Sequence, residues 1–180
     1  MNMMMNQRGF TLVETMVAIT VLSIALVGPY IAVNNALTAS YVARDKLIAS
    51  SLAQEGMEYI RSVRDANYLN SRASWMTGLS GLSCYGATPS GYCTVDPSQG
   101  DYNTNSSAIS SQSSANVPVL YLSSTGLYNQ QGTGSPTSFR RYVQMQEIST
   151  SEVQVTVTVT WTTSRQTYSA SVVDTLRDWL

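Results

Sequence analysis

The 180-residue chain has no histidine, two cysteines, two phenylalanines and only 12 % charged residues. Without histidine, the usual general base and the commonest metal ligand are both missing. With one cysteine pair and nothing to complement it, a zinc site lacks ligands. The sequence holds neither a Gly-rich phosphate loop nor Gly-x-Ser-x-Gly. The acids of the later chain, Asp65, Asp96, Asp101, Glu147, Asp174 and Asp178, are spread along it as single residues. No enzyme activity, cofactor or metal is therefore expected. A formal net charge of -1 and a pI of about 5.3 give no global basic field, which argues against nucleic acid as a partner. Ser, Thr, Asn and Gln supply the polar surface in place of charge, a composition that suits an exported protein packed among copies of itself.

Charge is absent altogether from residues 15–42, and a single acid, Glu14, stands at the front of that stretch. An ionised side chain inside hydrocarbon costs several kcal/mol, so such a residue is rarely idle and its partner must be sought. Nothing in the uncharged stretch supplies one. Residues 10–33 would rise roughly 36 Å as a helix against a hydrocarbon core of about 30 Å. A plain membrane anchor explains that length but leaves Glu14 without a purpose. A secretory signal peptide would have a shorter apolar core and then a small-residue cleavage site. Here no convincing small-x-small site follows the run, and Leu37-Thr38-Ala39 has a bulky first position.

The stretch Gly9-Phe10-Thr11-Leu12-Val13-Glu14, preceded by a short polar leader with Arg8 and followed by the apolar run, resembles the N-terminus of type IV pilins and type II secretion pseudopilins. The resemblance implies cleavage by a prepilin peptidase between Gly9 and Phe10 and N-methylation of Phe10. It also implies a role in assembly for Glu14, whose carboxylate would meet the N-terminal amine of a neighbouring subunit. It covers about the first third of the chain.

Cys84 and Cys93 bracket eight residues that include Gly86, Pro89 and Gly91. The anchor reading places them outside the cytoplasm, where a disulfide is the expected state. Two free thiols or half of a metal site are the alternatives.

A single helix is predicted from about Phe10 to about Asn67, apolar all round at first and amphipathic later. Leu37, Tyr41, Ile48, Leu52, Gly56, Ile60 and Val63 recur at helical spacing, and Arg44, Asp45, Gln54, Glu55, Glu58, Arg61 and Arg64 fill much of the other surface. Gly28-Pro29 should kink or locally melt it. Residues 68–116 read as loop, tethered by Trp75, Met76, Leu79 and Leu82. Within them Asp96, Asp101 and Asn103 could be proposed as calcium ligands, but they lack EF-hand spacing and read better as solvated turn residues. Asn105-Ser106-Ser107 fits a glycosylation acceptor.

The last third is strand text. Val117 to Leu122 is a short apolar run. Phe139, Arg141, Val143 and Met145 alternate with polar neighbours, as do Val153, Val155, Val157, Val159 and Trp161, and then Tyr168, Ala170 and Val172. Short connections imply an antiparallel meander whose apolar face the amphipathic helix can cover. The expected fold is thus α+β, with a leader (1–9), a membrane half-helix (10–33), an amphipathic half-helix (34–67) and a head (68–180) whose sheet lies in 117–180.

These readings combine into a structural subunit of a type IV pilus-like filament, held in the cytoplasmic membrane as a single-pass precursor and then exported into an extracellular or periplasmic filament. Its expected partners are the prepilin peptidase, other subunits through the N-terminal helix, and the membrane assembly machinery. The run 51–61 and the ending from Val157 to Trp179 resemble minor pilins and minor pseudopilins more than major subunits. A secretion pseudopilin is the alternative within the family. An adhesin or ligand-binding module carried on a pilin stem, using the loops of residues 68–116, is the alternative from another class.

Overall fold

A computed structural model describes residues 9–71, 73–99, 108–163 and 166–178. Arg8, Asp101, Asn103, the Asn105-Ser106-Ser107 triplet and Trp179 lie outside the described residues. The chain divides into two units, Met1–Ala43 and Arg44–Leu180. Helix α1, Leu12–Leu69, contributes to both.

In the first unit α1 is apolar on every side and its side chains are exposed. It contains an 18-residue window of mean hydropathy 2.2, long and apolar enough to cross a membrane. The helix is unbroken at Gly28 and Pro29, so the local melting expected there is not present. Proline removes one backbone donor there, and the helix runs on through it.

In the second unit the rest of α1 buries Ala49, Leu52, Ala53, Gly56, Met57, Ile60 and Val63. These residues are three or four apart and form one stripe. They pack with the inward rows of an antiparallel sheet into one core. The predicted helix-on-sheet arrangement is therefore what the chain adopts.

The sheet centres on three long strands, β7 (Arg140–Ser149), β8 (Glu152–Thr163) and β9 (Gln166–Arg177). β7 pairs with β8 and β8 with β9, both antiparallel, giving the expected meander. Val153, Val155, Val157, Val159 and Trp161 of β8 are all buried on the inner face, as the alternation requires.

The loop reading of residues 68–116 is corrected. Three short strands lie there, β1 (Tyr85–Gly86), β2 (Tyr92–Val95) and β3 (Ile109–Gln112), and they extend the sheet in the order β3-β2-β7-β8-β9. β1 pairs in parallel with β7, and β2 pairs antiparallel with it. β1 and β2 thus share the edge of β7 opposite β8, and a bridge between the buried Cys84 and Cys93 fastens them. These strands were missed because four-residue and two-residue segments in Ser, Gly and Tyr text carry no periodic signal; their pairing comes from β7.

The run Val117 to Leu122 is likewise mostly not strand. Only β4, Tyr121–Leu122, is extended, in a small sheet of order β5-β4-β6 with β5 (Tyr128–Asn129) and β6 (Ser135–Pro136). Val117 and Leu120 are fully buried.

Candidate functional site

The first unit presents its chemistry at the start of α1. Gly9 and Phe10 precede the helix and are exposed, Phe10 at 78 %. A Cβ added to Gly9 would meet nothing within 4 Å, and its backbone is not in the left-handed region. Nothing in the fold of this chain therefore requires glycine at position 9.

Thr11 caps the helix. Its Oγ1 accepts from the Glu14 backbone N at 3.3 Å, and its carbonyl accepts from Thr15 N at 3.2 Å. Thr-x-x-Glu is the capping-box pattern, and the acid lies in the first turn, where the helix dipole favours negative charge. This signal was legible in the sequence and was missed. Only the Thr11 half of the box is made, through the Glu14 backbone N, and the Glu14 carboxylate does not return a bond to Thr11 N.

Beyond the cap, the hydroxyls satisfy themselves within the helix. Thr15 donates to Leu12 O at 2.8 Å, Thr20 to Met16 O at 2.9 Å and Ser23 to Ile19 O at 2.8 Å. Among the described residues the Glu14 carboxylate has no such partner. It stands at the head of a shallow groove of about 670 Å³ along one helix face, continued by Val17, Ala18, Val21, Leu22 and Ala25. Small and apolar residues at this spacing let a second helix approach closely.

In the second unit Asp65, Asp96, Asp174 and Asp178, four of the acids considered for calcium or catalysis, are engaged by the fold. Asp96 is 4 % exposed and is not a solvated turn residue. Its Oδ1 accepts from Ser98 N at 3.1 Å and Ser98 Oγ at 2.6 Å, and its Oδ2 from Gln130 N at 2.9 Å, so it ties the end of β2 to the segment after β5. Asp174 pairs with Arg61 at 2.8 Å, and that hydrogen bond holds the guanidinium above the usual arginine range. Asp178 accepts from the Tyr68 hydroxyl, and Asp65 pairs with Arg64 at 2.8 Å. Burial, with the charge of Glu147, pushes the Tyr85 phenol up, so the fold loses stability as pH rises past the ordinary tyrosine range, where the unfolded chain ionises first. Among the described residues no group of three or more metal-ligating side chains converges.

Among the described residues the most buried charge is Arg141, at 0 % exposure in the inward row of β7. Its Nη1 donates to Leu52 O at 3.0 Å and to Glu55 Oε2 at 2.5 Å, and its Nη2 to Val95 O at 2.8 Å. One guanidinium thus joins α1, β2 and β7.

The family model for the prokaryotic N-terminal methylation motif matches residues 4–28. No curated protein and no solved structure matches the chain.

Proposed function

We propose that the chain is a structural subunit of a type IV pilin-like filament. It is made as a membrane precursor, cut by a prepilin peptidase between Gly9 and Phe10, methylated on the new amine of Phe10, and assembled through the first half of α1. The observation that carries this reading is the methylation-motif match over residues 4–28, which spans the scissile glycine, Phe10 and Glu14 together. Two features support it. Glycine at position 9 has no use inside the fold, so its requirement falls on something outside the chain. The Glu14 carboxylate, at the head of an apolar helix groove, has no partner among the described residues, and an assembled neighbour's N-terminal ammonium would provide one.

The work is structural and not catalytic. Among subtypes, the text of residues 51–61 and the Trp161 strand favour a minor pilin over a major one, and a type II secretion pseudopilin stands next. N-terminal mass spectrometry of the native protein is the test. The expected species starts at Phe10 with one added methyl group, and an exported form that begins at Met1 overturns the proposal.

A further inference from the structure

β9 ends the sheet, and among the described residues nothing pairs with its outer edge. It is twelve residues long and in unbroken register with β8, from Glu152↔Arg177 to Thr163↔Gln166. An edge of that length leaves every second residue's N–H and C=O without a strand partner. Proteins normally blunt such edges by shortening them, by bulges, by proline or lysine, or by an unpaired charge. β9 has no proline, no lysine and no bulge.

Its two charges are already neutralised within the head. Asp174 is held by Arg61 at 2.8 Å, and Arg177 by Glu152 at 3.1 Å. The inner row is also incomplete. Tyr168, Ala170 and Val172 touch the core but are only partly buried, whereas their β8 counterparts Trp161, Val159 and Val157 are fully buried. The outer row is Thr167, Ser169, Ser171, Val173 and Thr175, small or β-branched and exposed.

We propose that the β9 edge is a strand-addition site, and that its occupant is an extended, uncharged segment of a neighbouring subunit in the same filament. Free backbone donors and acceptors at alternate positions are complementary only to another extended backbone. The neutralised charges select an uncharged strand. The half-covered Tyr168, Ala170 and Val172 call for apolar residues on its inward side.

This inference rests on the filament reading, and hydrogen exchange separates the two. Amides of residues 166–177 are compared between the full-length protein in detergent and purified filaments. About half of them should slow at least tenfold on assembly, with the β8 amides unchanged. Filaments that contain the subunit but leave β9 exchange at the isolated rate overturn the strand-addition site and spare the filament. Absence of the protein from any filament overturns both. Val173→Lys, at a position 55 % exposed, should lower incorporation several-fold while Val173→Thr leaves it unchanged. Equal incorporation of the two variants also overturns the site.

Discussion

On the filament reading we propose, the Glu14 carboxylate would face a different environment before and after assembly. In a lone membrane-inserted subunit, burial in hydrocarbon would cost it several kcal/mol, and the proposed Phe10 ammonium of a neighbour would offset that cost only in the filament. Glu14→Ala should therefore insert into the membrane normally and enter filaments poorly, as read by the ratio of assembled to membrane-bound protein. Glu14→Gln keeps the side-chain oxygen that a capping box uses, so a defect shared by Gln and Ala assigns the effect to charge and not to the cap. Arg141 and Glu55 form the second residue-scale case. Glu55→Ala leaves a guanidinium buried with only carbonyl partners, whereas Arg141→Met fills the space with apolar atoms and leaves Glu55, 40 % exposed, to water. Glu55→Ala should cost about 3 kcal/mol and Arg141→Met less, measured by denaturant midpoints. Alternation alone could place Arg141 on the inward row, but nothing in the sequence of β7 says that Leu52 O and Val95 O wait there to receive it.

Two of the contacts that join elements in the second unit are the helix–sheet seam and the bridge between β1 and β2. At the seam, a Cβ on Gly56 would lie 3.0 Å from Val157 Cγ1 and 3.2 Å from Arg141 Cδ. Val157 is β-branched and stiff, and Arg141 is held by three hydrogen bonds, so neither yields. Overpacking of about 1 to 3 kcal/mol then exceeds the gain of about 1 kcal/mol in helix propensity. Gly56→Ala should lower thermal stability, although the same change on an exposed helix face would raise it. The Cys84–Cys93 bridge closes a short loop, with a sequence separation of 9. Replacing both cysteines by alanine should cost about 2 to 3 kcal/mol, read as a lower urea midpoint. Long strands and the helix were legible because their periodicity persists over many residues. β1, β2 and β3 were not, since two to four residues cannot establish a period and their partners lie far along the chain.

The second unit contains a complete core of its own, built from α1 after Arg44 and the sheet. Residues 44–180 should therefore fold without the apolar segment, stay soluble without detergent and unfold in one cooperative transition that circular dichroism and tryptophan fluorescence report at the same midpoint. Failure of residues 44–180 to show a cooperative transition would mean that this core depends on the first half of α1. The same experiment gives a membrane-free protein in which the β9 edge can be studied.

The sequence by itself determined the long apolar half of α1, the match to the N-terminal methylation motif, the amphipathic stripe and the three-strand meander, because each is written as a local pattern in consecutive residues. It also placed Cys84 and Cys93 close enough to bridge. Only the tertiary structure decided that Asp96 is a buried tie and not a solvated acid, that Arg141 joins α1, β2 and β7, and that residues 85–112 supply strands to the sheet. Those outcomes depend on which distant backbone groups are left needing a partner once the long elements have packed. No local pattern records that.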